Sequence, residues 1–316
     1  MIRIFQPIDI LSIVFFSRNQ LQNISYNFLD TNNGENCDLS IKKCLEQFIS
    51  YKNFSEYYIN TNNMEIQSVI NIDNKSNNSI WKINEFHAKK PFNKNIIQSL
   101  EKLSDLAAKN QVIKIFISIN QNSSLIAKFN DLGFLFSSNE ISMLKIPNLH
   151  IRKDIPRKIT PKELRPFNSS DLFFLYKIYS KSSDINKDYP LQSFNNWSEN
   201  QKSEKKQTHR FIYEKNYKIK SMIEITSKKN CNYIQFYFFT NNKITIRTII
   251  DTILAIYSES IIYTILPAKN QIICNAFIES GFQPDKNYVI LYKNITIPIK
   301  FKKKQYRKNL KVEVSN

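Results

Sequence analysis

Asn122-Ser123-Ser124-Leu125-Ile126-Ala127-Lys128-Phe129-Asn130-Asp131-Leu132-Gly133-Phe134 returns later in the chain as Asn270-Gln271-Ile272-Ile273-Cys274-Asn275-Ala276-Phe277-Ile278-Glu279-Ser280-Gly281-Phe282. Both stretches read Asn, two residues, an apolar residue, three residues, Phe, three residues, Gly-Phe. The whole chain holds three glycines, and two of them stand at this one point of the pattern. Leu125 with Phe129, and Ile273 with Phe277, are four apart and so share a helix face. A glycine four residues further on can adopt the left-handed conformation that ends a helix, and the Phe behind it anchors the turn into a strand.

Strand patterns flank both copies. Val112 to Ile119 and Ile261 to Leu266 precede them; Ile141 to Ile146 and Tyr288 to Tyr292 follow. Each half therefore closes as strand, helix, strand. Upstream, Glu56 to Ile59, Glu65 to Ile72 and Ser79 to Phe86 read as strands separated by Asn-rich turns, followed by a helix from about Asn95 to Ala108. The second half repeats this with Arg210 to Glu214, Lys218 to Thr226, Tyr233 to Phe239 and a helix from Ile246 to Tyr257. The aromatic run Phe236-Tyr237-Phe238-Phe239 reads as a buried central strand.

The starts match too. Ile2 to Leu11 and Leu164 to Phe173 each place an Arg and a Phe in an extended segment that leads to an Asp, Asp9 or Asp171, and then to an apolar run. An Asp there is expected to cap the helix by accepting from the N–H groups of its first turn. The chain thus divides into residues 1–147, a linker 148–161 with three prolines nearby, a second copy 162–299 and a basic tail 300–316. At 316 residues, two domains of about 150 each are the natural size.

This order of elements, with the Asn…Phe…Gly-Phe spacing, resembles the GNAT N-acetyltransferase superfamily, taken twice over nearly the full chain. The resemblance implies an α/β fold of mixed sheets, two tandem GNAT-like acyl-CoA N-acyltransferase domains. It implies that acetyl-CoA wedges between two splayed central strands, with its pyrophosphate at the start of the helix after the fourth strand. The matching segments are Lys89 to Ile96 and Asn241 to Ile246, and both lack the glycines usual in that loop. On the resemblance, Lys89, Lys90, Lys94 and Asn95, with Lys243 in the second half, are the candidates for the anionic end of the cofactor. Asn122 and Asn270 stand where the family's cofactor-contacting Asn falls, a local helix cap being the alternative. Phe129 and Phe277 occupy the position of the family's proton-donating Tyr. Glu85 is the candidate general base, with His87 beside it for proton transfer and Glu224 the counterpart in the second half; side chains facing solvent are the alternative for each.

Composition bounds the rest. The net charge of +18 admits nonspecific nucleic-acid contact, above all through Lys300 to Lys311, yet the Asn-, Ile- and Lys-rich composition spreads lysine over any surface it makes. Cys37, Cys44, Cys231 and Cys274 form no CxxC pair, and His87, His150 and His209 are scattered, so neither a metal site nor a disulfide framework is expected. Asp9 interrupts the apolar stretch Ile8 to Phe16, which argues against a signal peptide, and no apolar run reaches membrane-spanning length. The expectation is a soluble, cytoplasmic acetyltransferase acting on an amine. A catalytically silent scaffold of the same fold is the first alternative, and a basic nucleic-acid-associated protein the second.

Overall fold

The computed structural model describes residues 1–18, 21–23, 25, 39, 44–45, 55–62, 65–73, 79–90, 92–147, 163–181, 208–228, 231–257 and 259–296. The proposed linker, the basic tail, Cys37, His150 and Trp197 lie outside them. The first half contains β1 (Ile2–Ile4), α1 (Ile10–Ser17), β2 (Leu21–Asn23), β3 (Ser55–Asn62), β4 (Glu65–Asp73), β5 (Ile80–Lys89), α2 (Phe92–Lys109), β6 (Lys114–Asn120), α3 (Ile126–Asp131) and β7 (Leu135–Lys145). The second half repeats the series without a counterpart of β2 among the described residues: β8 (Leu164–Pro166), α4 (Leu172–Lys181), β9 (Thr208–Lys215), β10 (Lys218–Lys228), β11 (Cys231–Phe238), α5 (Lys243–Ile256), β12 (Ile261–Pro267), α6 (Gln271–Glu279) and β13 (Gln283–Asn294).

All these strands join one sheet in the order β1-β3-β4-β5-β6-β13-β7-β12-β11-β10-β9-β8, with β2 added on β5. The closing strands are exchanged. β13 of the second half lies between β6 and β7 of the first, and β7 lies between β13 and β12. The spacing that carries Asn122 onto Asn270 also carries Glu140 onto Tyr288, and these two residues are direct partners across β7 and β13. The duplication is therefore a pseudo-twofold, and its axis passes through the Glu140–Tyr288 pair. Register shifts flank the axis on both sides, one at Ser137 and its mate at Asp285, where each long strand bends to meet its neighbour.

Helices pack where their apolar faces find the sheet. Ile96, Leu100, Leu103 and Ala107 of α2 join Phe129 of α3 and the strand residues Trp81, Ile83, Phe86, Ile115 and Ile117 in one core. Ile246, Ile249, Ile250 and Ile253 of α5 do the same with Phe277 of α6, Ile223, Ile225 and Ile234. Val289 belongs to the first of these cores and Ile141 packs against the second. Val289 pairs with Asn139, one step along the alternation from Ile141, so both cores lie on the same sheet face. On the opposite face, α1 covers Tyr57, Ile59 and Val69, and α4 covers Ile212 and Met222. Trp81 is a core residue against Tyr58.

Both closing glycines are left-handed, φ +81° at Gly133 and +85° at Gly281, and Phe134 and Phe282 fold back so that their N–H groups reach the carbonyls of Phe129 and Phe277. The two Asp residues behave otherwise than the helix-cap pattern implies. Asp9 accepts from the backbone N–H of Gln6, behind it, and takes a bidentate contact from Arg3 at 2.5 and 2.7 Å. Asp171 does the same with Asn168 and Arg165, at 2.7 and 2.8 Å. The reason is a 3₁₀ turn at Pro7–Asp9 and Ser169–Asp171, which swings each carboxylate back towards the arginine of the preceding strand rather than onto the helix.

Candidate functional site

The two strands that matter are β5 and β11, each of which leaves its parallel neighbour partway along. β5 pairs with β6 only from Ile80 to Ile83, and β11 with β12 only from Cys231 to Tyr233. Beyond those points each remains bonded to the strand on its other side, β4 or β10. The result is a wedge in each half. This explains why Phe236 to Phe239 are half-buried rather than the fully buried central run that their composition suggests: the strand has lost a neighbour. The base of the second wedge is aromatic. Phe236 and Phe238 stack on each other and meet the fully buried Phe277 edge-on, at 5.2 and 6.3 Å between ring centres, and Phe277 meets Phe282 at 4.9 Å. In the first half Phe129 contacts Phe134 at 5.1 Å.

Residues on the helix α1 side of β5 form a buried cluster. Glu85 and His87 stand two apart on one strand, and Glu85 Oε2 lies 3.5 Å from His87 Nε2 and 3.5 Å from the Tyr57 hydroxyl, which donates to it. Neither faces solvent: Glu85 is 5% and His87 1% exposed. Among the described residues neither ring nitrogen of His87 makes a hydrogen bond. The corresponding region of the second half is a closed network. Arg210 Nε donates to Glu224 Oε1 at 2.6 Å, and the Tyr237 hydroxyl donates to Glu224 Oε2 at 3.2 Å. Burial, then the Glu224 carboxylate, holds the Tyr237 phenol well above its ordinary pKa. Glu224 is thus engaged from both sides.

The loop candidates divide. Lys89 Nζ pairs with Glu65, and the backbone carbonyl of Lys89 accepts from the buried Asn95 side chain at 2.9 Å. Lys94 is exposed at the start of α2, and Lys90 follows β5 directly. In the second half, Asn242 caps α5, accepting from Thr245 N–H at 3.0 Å, while Lys243 contacts Glu279 at 2.6 Å. Asn270 caps α6 through Ile273 N–H at 3.3 Å. Asn122 is exposed, and among the described residues it is held through its backbone N–H, which donates to Asn120; Ser123 takes the side-chain role there.

One residue outside the sequence reading stands out. Glu140 lies on the pseudo-twofold axis between β12 and β13. Burial raises its carboxyl above the ordinary glutamate range, and Lys82 opposes this in part. The wedge mouths adjoin the same place. The N–H of Gln121, just after β6, donates to the carbonyl of Asn287, and the N–H of Ala268, just after β12, donates to that of Asn139, both at 3.0 Å. Nothing local in the sequence marks Glu140, since its position follows only from the exchange of strands.

A wedge between parallel strands, a helix starting beside it and an Asn…Phe…Gly-Phe turn closing it, present twice, define the architecture. The fold is that of the GNAT acetyltransferases. Its neighbours among solved structures include a GCN5-related N-acetyltransferase from Sphaerobacter thermophilus, at 12% identity with 95% of this chain and 96% of that one covered and a TM-score of 0.57. A putative acetyltransferase from Pyrococcus horikoshii aligns at 11% identity over 95% and 91% of the two chains, TM-score 0.55. A tandem GNAT protein from the clavulanic acid biosynthesis pathway aligns at 6% identity over 89% of this chain and all of that one, TM-score 0.52. No protein-family model and no curated protein matches the sequence. At these identities the likeness to GNAT proteins is one of fold. Among the described residues, no helix is long and apolar enough to cross a membrane.

Proposed function

We propose that this chain is a GNAT-type N-acetyltransferase that moves an acetyl group from acetyl-CoA to an amine, with 1–147 and 162–299 as its two acyltransferase-type halves joined by 148–161. The observation that carries the proposal is the wedge beyond Tyr233, where β11 keeps its bonds to β10 and gives up β12 directly before the N-terminus of α5. Backbone groups along such an edge can pair with the amides of an extended ligand, and a helix N-terminus favours its phosphates. Bound acetyl-CoA supplies an activated thioester. The residues of the chain hold the ligand extended, keep water from it and position the amine, which accounts for much of the rate in a reaction of this kind. Candidates for holding the cofactor are Asn270 and Lys243 in the second half and Lys89, Lys90, Lys94, Asn95 and Asn122 in the first. Glu85 with His87 is the candidate proton-handling pair.

A second reading, a GNAT-like binding scaffold without turnover, draws on the paired phenylalanines. Phe129 and Phe277 are buried among aromatic rings and offer no hydroxyl to protonate a leaving thiolate. Calorimetry with acetyl-CoA, followed by a free-thiol assay against a panel of amines, separates the readings. Binding with thiol release supports the enzyme; binding without release on any amine supports the scaffold. No binding at millimolar acetyl-CoA removes the first proposal.

A further inference from the structure

Among the described residues, the wedges of the two halves differ in one respect that their shared ancestry does not require. In the first half, the outer part of the β5 edge that β6 gives up after Ile83 is taken by the chain itself. Leu21–Asn23 pairs antiparallel with it, Leu21 opposite Lys89, Gln22 opposite Ala88 and Asn23 opposite His87. On its other edge the same stretch of β5 pairs with β4, Val69 opposite His87 and Ser68 opposite Ala88. The far end of β5 is therefore an interior strand. In the second half, the matching stretch Ile234 to Phe238 pairs with β10 alone among the described residues.

Three residues of strand span about 10 Å, which covers the outer half, His87 to Lys89, of the six residues over which β5 runs free of β6. β2 begins only four residues after α1 ends at Ser17. A segment on so short a tether is present at its own docking edge at an effective concentration on the order of millimolar or above. An extended ligand must displace it before it can use that edge.

We infer that the two halves have divided their roles: Leu21–Asn23 is a built-in occupant of the first wedge, and an extended acyl-thioester ligand enters only the second, along Ile234 to Phe238. The inference deepens the acetyl-CoA proposal and rests on it for its second clause. It reverses the weighting that the sequence alone suggests, because Glu85 and the lysines from Lys89 to Lys94 make the first half look the better equipped. Lys89 is instead tied to Glu65 and paired with Leu21, and Asn95 is tied to Lys89.

Hydrogen–deuterium exchange on the full-length protein tests this, with coenzyme A as the probe. Without ligand, the amides of 21–23 and of 86–89 exchange slowly. Saturating coenzyme A adds protection to 234–238 and to the first turn of α5 and none to 86–95, and calorimetry gives one site per chain. Gln22→Pro, which cannot donate from the middle of a paired strand, speeds exchange at 87–89 and opens a second site. Fast exchange at 21–23 in the unliganded wild type overturns the strap, and that measurement needs no variant. Ligand protection at 86–95, or two sites in the wild type, overturns the division of roles while leaving the acetyl-CoA proposal standing. No ligand protection anywhere overturns both the second clause and that proposal, whatever the exchange at 21–23.

Discussion

Lys145, at the end of the closing strand of the first half, donates its ammonium to the carbonyl oxygen of Ser280 in the second half at 2.8 Å. It lies over the Phe282 ring at 5.9 Å and against Gly281, where a β-carbon would meet its Nζ at 2.6 Å. Its pseudo-twofold mate Lys293 crosses the other way, over the Phe134 ring at 5.8 Å, with its Cε 3.9 Å from where a β-carbon on Gly133 would stand. Burial pushes the Lys293 ammonium below its ordinary pKa, opposed by Glu101 and Asp105. Each half thus clamps the helix-ending turn of the other, and the two clamps are unequal.

That inequality predicts an ordered pair of substitutions. Gly133→Ala meets open enough space and pays only for the left-handed backbone, about 1–2 kcal/mol. Gly281→Ala pays the same and also pushes Lys145 off Ser280, adding about 1 kcal/mol for the hydrogen bond. Urea unfolding of both variants checks the order; equal losses would show that Lys145 contributes nothing at the turn.

The exchanged strands predict that neither half is self-sufficient. A fragment 1–147 lacks the strand that separates β6 from β7, and 162–316 lacks the one that separates β12 from β13. Expressed alone, each is expected to be insoluble or to associate with itself through its unpaired edges. Co-expressed, they should purify together as a folded pair. Recovery of either fragment as a stable monomer by sedimentation would contradict the exchange.

Glu140 predicts a pH dependence with a definite sign. A carboxyl whose pKa is raised on folding binds its proton more tightly folded than unfolded, so stability is greatest below the unfolded value, roughly 4.3, and falls as pH rises through the folded value. Glu140→Gln removes that fall. The variant should melt higher than wild type at pH 7 and close to it at pH 4. A lower melting point at pH 7 would mean that the ionised carboxylate is satisfied in the fold.

The sequence was most legible where the physics is local. The spacing from Asn122 to Phe134 and from Asn270 to Phe282 needs only helix periodicity and a left-handed glycine, and both appear where expected. Strand positions followed from alternation, although β7 begins at Leu135 rather than Ile141 and β13 at Gln283 rather than Tyr288. Those early segments are exposed or half-buried and, apart from Leu135 and Phe136, largely polar, and they become strand because a partner from the other half lies beside them. For the candidate site, neighbours on one strand were within reach of the sequence, and Glu85 and His87 do meet. Glu140 was not, since it acquires its burial from β12 and β13.

The amino-acid order by itself determined that one α/β unit was copied, which elements each copy contains and where each turn closes, because those depend on interactions within a few residues. Tertiary structure alone decided between which strands each copy's last strand inserts, and which free strand edge Leu21–Asn23 pairs with. Backbone hydrogen bonding at a strand edge carries no side-chain signature and accepts any strand of suitable reach, so the choice rests on geometry that the residues do not spell out.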